Sequence, residues 1–130
     1  MVILQERSAR KITGGRYKDY RKKKLFNLGS LPTHTKVGKT KVKVKRERSG
    51  SLKYTLLSAN KINVIDQKTK KMAVTEIVTV ADNPANRNFI RRNIITKGTI
   101  LETKIGRVKV TSRPGQSSVL NGVLISEKKT

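Results

Sequence analysis

The sequence contains no cysteine and no tryptophan, and it has one histidine and only eight acidic residues among 130. Without cysteine, disulfide bonds and thiolate metal sites are excluded. The acids are scattered without the paired or metal-ligand spacing that catalysis or metal binding requires, and His34 lies in a basic stretch rich in chain breakers. We therefore predict no catalytic residues, no metal, no cofactor and no small-molecule substrate, and we expect that the protein is not an enzyme.

Long apolar runs are also missing. No segment approaches the roughly 18 residues that a spanning helix needs, and Met1 to Lys11 is too short and too charged for a secretory signal. A surface anchor is disfavoured because the basic residues lack a broad apolar face rich in Trp, Phe and Leu. We expect a soluble, intracellular protein that does not bind a membrane.

Positive charge is what the sequence has in excess. Thirty-one Lys and Arg residues oppose the eight acids, which gives a formal net charge of +23. A compact domain with this balance repels itself unless a polyanion screens it, and nucleic acid is the partner that supplies the required charge density. Hydrophobic residues make up 35% and aromatic residues 4% of the chain. This composition favours a small core together with a loosely folded basic segment.

The basic residues are concentrated toward the N-terminus, where breakers of regular structure are frequent. Seventeen of the 31 Lys and Arg residues lie within residues 1–53. Glycine or proline interrupts the early chain at Gly14-Gly15, Gly29, Pro32 and Gly38. We predict a basic RNA-binding arm over residues 1–38 and one β-barrel domain over residues 39–130, a usual length for a single core.

Within the arm, Tyr17, Tyr20, Lys24 and Leu28 follow helical spacing and indicate a short helix. The like charges of residues 21–24 destabilise such a helix by itself, so we expect it to become ordered when RNA phosphates lie among them. Three interpretations of the two tyrosines stay open at this point: stacking on unpaired bases, stacking on arginine planes, and anchoring to the barrel.

From about Lys39 onward the apolar residues recur with a period of two, which is typical of strands with one buried face. Val42 and Val44 alternate with lysines, and Asn121-Gly122 is interpreted as a bulge or bend within the last strand. Further β-prone stretches are Leu52 to Ala59, Lys61 to Asp66, Lys71 to Val80, Thr99 to Ile105, Arg107 to Ser112 and Val119 to Ile125. The predicted fold is mainly β: a small β-barrel of about six or seven short strands, one short helix and a basic, partly extended N-terminal arm.

The one helix is predicted to begin at Asp82-Asn83, an N-cap, with Pro84 at the first helical position. Helical spacing then places Arg87 and Arg91 on the same face. A separate turn, residues 112–116, carries Arg113 at its tip.

The candidate RNA-binding residues are basic side chains of the arm, of the first residue of the barrel domain, of the predicted helix and of this turn. They are Arg7, Arg10, Lys11, Arg16, Lys18, Arg21, Lys22, Lys23, Lys24, Lys36, Lys39, Arg87, Arg91, Arg92 and Arg113. Arginine suits phosphate oxygens and guanine edges, and neighbouring asparagines suit bases or 2′-hydroxyls. The alternative, that these are merely solvated faces without a specific role, stays open, although ordinary surfaces mix charges of both signs.

The order of several longer motifs resembles the ribosomal protein S8e family of the archaeal and eukaryotic small subunit. The resemblance runs from about Arg7 to Ile125. Its motifs are Arg10-Lys11-Ile12-Thr13-Gly14-Gly15, Tyr20-Arg21-Lys22-Lys23-Lys24-Leu25-Phe26-Asn27-Leu28-Gly29, His34-Thr35-Lys36-Val37-Gly38, Asp82-Asn83-Pro84-Ala85-Asn86-Arg87, Arg91-Arg92-Asn93-Ile94-Ile95-Thr96-Lys97-Gly98 and Thr111-Ser112-Arg113-Pro114-Gly115-Gln116.

This resemblance implies a structural protein of the cytoplasmic ribosome, with small-subunit ribosomal RNA and neighbouring ribosomal proteins as partners and no catalysis. Glu102 to Thr111 has the length of a direct hairpin, where eukaryotic members carry a long insertion, so the resemblance implies the archaeal-type 30S form. The chain departs from the family at Arg48-Ser49-Gly50-Ser51, where paired glycines are frequent. The open alternative is a basic architectural protein that binds duplex DNA.

Overall fold

A computed structural model describes residues 3–47 and 49–127, of which residues 126 and 127 are described by their backbone alone. The chain forms two compact units, Met1–Pro32 and Thr33–Thr130. Residues 33–38, which were predicted to be part of the arm, belong to the second unit, and the functional division at Gly38 stays a prediction. Among the described residues, no helix is long and apolar enough to cross a membrane.

The second unit is built from two β-sheets. The strands are β1 (Lys36–Val37), β2 (Lys41–Arg46), β3 (Leu52–Ala59), β4 (Lys61–Ile65), β5 (Met72–Asp82), β6 (Ile100–Thr103), β7 (Gly106–Val110) and β8 (Asn121–Glu127). Strands β4 to β8 form a closed barrel in sequence order, and β1, β3 and β2 form a three-stranded sheet in that order. The predicted mainly-β barrel is confirmed, but the closed barrel has five strands where about six or seven were expected, and the other three strands of the described chain form the separate sheet.

The barrel closes because β4 pairs with β8 in parallel, whereas its other neighbouring strands are antiparallel. Alternate residues of each strand point inward, because successive side chains in a strand lie on opposite faces. In β7, for example, Val108 and Val110 are buried while Arg107 and Lys109 are exposed. The core also contains Leu56, Ala59, Ile62, Val64, Ile77, Val80, Ile95, Leu101 and Leu120.

The strand registers give the barrel two distinct ends. Asp82 pairs with Ile100, and Val110 pairs with Gly122. The connections 83–99 and 111–120 therefore lie at one end, which we call the loop end. At the opposite end, the turn end, residues 66–71 join β4 to β5 and residues 104–105 join β6 to β7.

The β2–β3 hairpin closes with a tight turn over the segment that departs from the family pattern. The backbone N–H of Glu47 donates to the Ser51 carbonyl oxygen at 2.8 Å, and the N–H of Gly50 donates to the Glu47 carbonyl oxygen at 3.1 Å. Gly50 has a φ of +85°, a conformation that glycine adopts without steric cost. Arg48 lies outside the described residues.

The two helix predictions have different outcomes. Helix α1 spans only Asn88–Arg91, so the predicted start at Asp82-Asn83 is wrong: Asn83 is buried and forms a turn, as described below. In the arm, where a helix is expected only on RNA binding, the helical spacing from Tyr17 to Leu28 is accompanied by a single 3-10 turn, Leu25–Asn27. Like-charge repulsion among residues 21–24 accounts for the difference, and helix formation on RNA stays a prediction.

Gly122, at the start of β8, is a position where the barrel leaves no space for a side chain. A Cβ built there would lie 2.5 Å from Val108 Cγ1 and 2.9 Å from the Lys109 carbonyl oxygen. Glycine at position 122 thus allows the neighbouring strand to approach closely. The register shift between β7 and β8 lies elsewhere, between Arg107 and Val108. A bulge at Asn121-Gly122 is therefore wrong, and the alternative of a bend there stays a prediction.

We predict that Gly122→Ala lowers the free energy of unfolding by about 1–3 kcal/mol, the usual cost of overpacking a core. Urea denaturation followed by circular dichroism measures this loss. Gly15→Ala is the control, because a Cβ at Gly15 comes no closer than 3.7 Å to a neighbouring atom. Equal losses in the two variants would show that the space around Gly122 is not limiting.

Candidate nucleic-acid interface

In the first unit, a small hairpin carries the earliest basic residues. Arg10 and Arg16 form an antiparallel bridge, and the Tyr17 N–H donates to the Ala9 carbonyl oxygen at 3.0 Å. The turn is closed by the Lys11 N–H, which donates to the Gly15 carbonyl oxygen at 2.8 Å. The hairpin therefore groups Arg10, Lys11 and Arg16 on one short, locally hydrogen-bonded segment.

Aromatic rings hold several of the arm's cationic side chains. The Arg7 guanidinium lies 3.8 Å from the centroid of the Tyr17 ring, and the Lys11 ammonium lies 5.5 Å from it. Arg21 lies 5.2 Å from the Tyr20 ring centroid and 5.4 Å from that of Phe26. These are cation–π distances. Of the three interpretations of the tyrosines, contact with arginine is observed, and both base stacking and anchoring to the barrel stay predictions.

The same unit contains a basic cleft of about 330 Å³, which falls within the size range of ligand sites. Its lining residues are Glu6, Arg7, Lys18, Asp19, Tyr20, Arg21, Lys22 and Lys23. Lys24 follows directly, with an extended backbone before the 3-10 turn. The structure thus brings five of the predicted arm residues around one concave surface, in which cations outnumber the two carboxylates.

In the second unit, residues 33–37 run beside the segment that follows α1. The Ile95 N–H donates to the Thr35 carbonyl oxygen at 2.7 Å, and Lys36 forms a bridge with Ile94. The His34 ring meets the Phe89 ring edge to face, with centroids 5.4 Å apart. These contacts bring Lys36 beside the segment that follows α1 and its basic residues Arg91 and Arg92, a proximity that sequence spacing does not reveal.

Asn83 fixes the loop that presents the α1 arginines. The residue is 3% exposed. Its side-chain amide donates to the Ile94 carbonyl oxygen at 3.1 Å. Its side-chain oxygen accepts from the Ala85 N–H at 3.1 Å and from the Thr96 hydroxyl at 3.0 Å. One buried side chain therefore ties together both flanks of the segment that contains α1.

The remaining predicted residues also lie on the second unit. Arg87, Arg91 and Arg92 are exposed at the loop end, and none forms an ion pair with a carboxylate of the described chain. Arg113 is exposed. The next residue of its turn, Pro114, is buried, and the Pro114 carbonyl oxygen accepts a hydrogen bond from the Leu56 N–H at 2.9 Å. Exposed Lys39 is held through its carbonyl oxygen, which accepts from the Ser58 hydroxyl at 2.5 Å.

Together, the residues of the second unit form a surface that we call the loop-end cluster: Lys36, Arg87, Arg91, Arg92 and Arg113. The basic residues of the cluster are exposed, whereas Asn83, Ile94 and Pro114, which hold the neighbouring backbone, are buried. Within the described residues, no group of three or more histidine, aspartate or glutamate side chains is placed to hold a metal ion. The arrangement provides rigidly mounted guanidinium groups suited to phosphate oxygens.

We predict that Asn83→Ala lowers the free energy of unfolding by about 1–3 kcal/mol, because it leaves buried backbone and hydroxyl groups without partners. Asn86→Ala is the matched control: Asn86 is exposed and accepts a hydrogen bond from the Asn88 N–H, which water replaces. Urea denaturation of both variants measures the difference. A loss for Asn86→Ala as large as that for Asn83→Ala would contradict the role assigned to Asn83.

The sequence profile of the family described as Ribosomal protein S8e matches residues 4–125. Several archaeal relatives named "Small ribosomal subunit protein eS8" are similar over most of the chain. The protein of Nanoarchaeum equitans is 50% identical over 121 residues, covering 93% of this chain and 95% of its own. That of Methanococcus aeolicus is 48% identical over 129 residues, covering 98% and 100%. That of Methanocorpusculum labreanum is 45% identical over 124 residues, covering 95% and 99%. The chain therefore belongs to the ribosomal protein S8e family.

Proposed function

We propose that the protein is a structural constituent of the small (30S) ribosomal subunit, where it binds and stabilises ribosomal RNA and so supports translation without catalysing a reaction. The proposal places it in the cytoplasm, within the ribosome, beside other ribosomal proteins. Family membership supports this function, as do the names of the archaeal relatives. The net charge of +23 is in accord with it, because a folded polyanion supplies the screening that such a chain requires.

The observation that carries the proposal is the loop-end cluster, whose cations have no carboxylate partner among the described residues and lie on a hydrogen-bonded segment. Arg87, Arg91 and Arg92 project from a segment fixed by buried Asn83. Because this segment is already ordered, RNA binding costs little loop entropy, and each guanidinium is free to form paired hydrogen bonds to phosphate. Such contacts set the position of RNA and carry little sequence information.

The arm is proposed to add a second set of phosphate contacts. Tyr17 keeps the Arg7 guanidinium at 3.8 Å from its ring, which limits the freedom of that side chain before RNA binds. The basic cleft then offers several cations around one concavity, where a backbone phosphate gains from more than one of them. The arm residues predicted from sequence, together with Lys36 and Lys39, are proposed as RNA ligands on this basis.

A filter-binding assay tests the function against the duplex-DNA alternative. Fragments of small-subunit ribosomal RNA are expected to bind more tightly than duplex DNA of equal length at moderate salt, and log K is expected to fall steeply as log salt concentration rises. Displacement of structured RNA by duplex DNA would favour the alternative. Indifference to ribosomal RNA at low ionic strength would refute the proposed function.

We predict that Arg91→Gln reduces the salt slope of RNA binding by about 1 and weakens binding similarly for different RNA sequences, because it removes one phosphate contact. The control is Arg107→Gln, which makes the same charge change on β7, where Arg107 lies 3.8 Å from Glu102. The control is expected to keep the parental slope. Identical slopes for the two variants would mean that overall charge, and not the loop-end cluster, determines binding.

A further inference from the structure

The outer wall of the barrel carries a contiguous apolar patch near the turn end. Ile65 of β4 lies between Met72 of β5 and Val123 of β8 in the strand register, and Val74 follows Met72 on the same face. We call these four residues the turn-end patch. Met72 is 80% exposed, Val74 68% and Ile65 40%.

The side chains of this patch do not fill the barrel interior. Within β4, Ile62 and Val64 fill the interior, so Ile65 belongs to the opposite, outward set. In β5 the same alternation buries Thr75 and Ile77. The interior is therefore complete without the patch residues. Contiguous apolar side chains on the surface of a soluble domain mark an interaction site more often than isolated ones do.

The charges beside the patch differ from those at the loop end. On this wall Lys104 forms an ion pair with Glu76, whose pKa is lowered by the hydrogen bond and charge of Lys104. Arg107 lies 3.8 Å from Glu102, which also accepts a hydrogen bond from the Thr79 hydroxyl. Carboxylates repel phosphate, and aliphatic side chains offer it no hydrogen bond. This wall therefore suits phosphate less well than the loop end does, although exposed Lys109 is the register partner of Val123.

The patch is also far from the loop-end cluster. Strand β5 spans Met72–Asp82, and the segment that leads to α1 follows its far end. At about 3.3 Å per residue, the two ends of this strand are roughly 30 Å apart. That separation is several times the screening length of about 8 Å at physiological ionic strength, so the charges of the loop-end cluster are largely screened at the patch.

The chemistry at the edge of the patch indicates the occupant. The turn directly before Met72 contains Lys70 and Lys71, which form no ion pair with the described carboxylates. The Asp66 carboxylate shapes this turn by accepting hydrogen bonds from the Lys68 N–H at 2.9 Å and the Thr69 hydroxyl at 2.6 Å. A second copy of the chain would bring equivalent lysines and another net charge of +23 to the contact, which disfavours it.

We propose that the turn-end patch docks a partner protein whose contact surface is apolar and bordered by carboxylates. The proposal rests on the proposed ribosomal function and adds a second, protein-facing side to the barrel. Aliphatic side chains on the partner cover Met72 and Val74, and acidic side chains at its border pair with Lys70 and Lys71. The barrel then joins RNA at its loop end to protein at its opposite end.

Because the chain has no cysteine, single-cysteine variants test this proposal directly. Met72→Cys and Arg91→Cys are each expressed at full length in an archaeal host, and small subunits are recovered on a sucrose gradient. After labelling with a benzophenone maleimide and irradiation, position 72 is expected to cross-link to protein and position 91 to RNA. When the maleimide is added to assembled subunits instead of to the free protein, the cysteine at position 72 is expected to be unreactive.

Three results would overturn the docking proposal: a cross-link from position 72 to RNA, a cross-link to a second copy, or unchanged maleimide reactivity of position 72 in the subunit. Each leaves the proposed function intact while position 91 still cross-links to RNA. Absence of the unsubstituted chain from the subunit fraction would instead refute the ribosomal function, and the docking proposal with it.

A substitution that keeps the strands provides an independent measurement. Met72→Gln combined with Val74→Thr removes the apolar surface while retaining side chains that strands accept. The double variant is expected to leave small subunits at lower salt than the parent, with unchanged affinity for isolated ribosomal RNA. Equal retention of parent and variant would count against the proposal. Loss of affinity for isolated RNA would show that the patch faces RNA.

Discussion

The parallel pairing of β4 with β8 is the contact on which the rest of the second unit depends. It joins residues far apart in the chain, with the Asn63 N–H donating to the Leu120 carbonyl oxygen at 3.0 Å and the Asn63 amide donating to Asn121 at 3.1 Å. Without it, β4 and β8 would each expose an open edge, and one side of the core would face water. With few aromatic residues available, the chain obtains its buried interior by enclosing aliphatic side chains on all sides.

Closure also separates surfaces with different chemistry. The strands run between two ends, so the long connections that carry Arg87 to Arg92 and Arg113 gather at one of them, while the short turns gather at the other. Two of the protein's eight acids form ion pairs on the wall, and the loop-end arginines are left without such partners among the described residues. The topology of the barrel thus concentrates these arginines at the loop end.

The strands were predictable because their signal is local. The alternation around Val42 and Val44 predicts β2 directly, and similar patterns predict the barrel strands within a few residues. The order β1-β3-β2 and the contact of His34 with Phe89 were not predictable, because each joins segments distant in sequence. The helix start was misplaced because an Asn-Pro pair suits both an N-cap and the turn that Asn83 forms. The sequence around Gly122 does not indicate that Val108 and Ile62 occupy the space that a Cβ would need.

The position of β8 as the last strand along the chain has a consequence for synthesis. The barrel cannot close until residues 121–123 are available to pair with β4. The hairpin of the first unit, in contrast, uses only contacts between residues that are close in sequence. While the chain is being made, its cationic segment is therefore complete well before its hydrophobic interior is sealed. A nascent chain of this kind exposes its basic residues first and buries its aliphatic residues last.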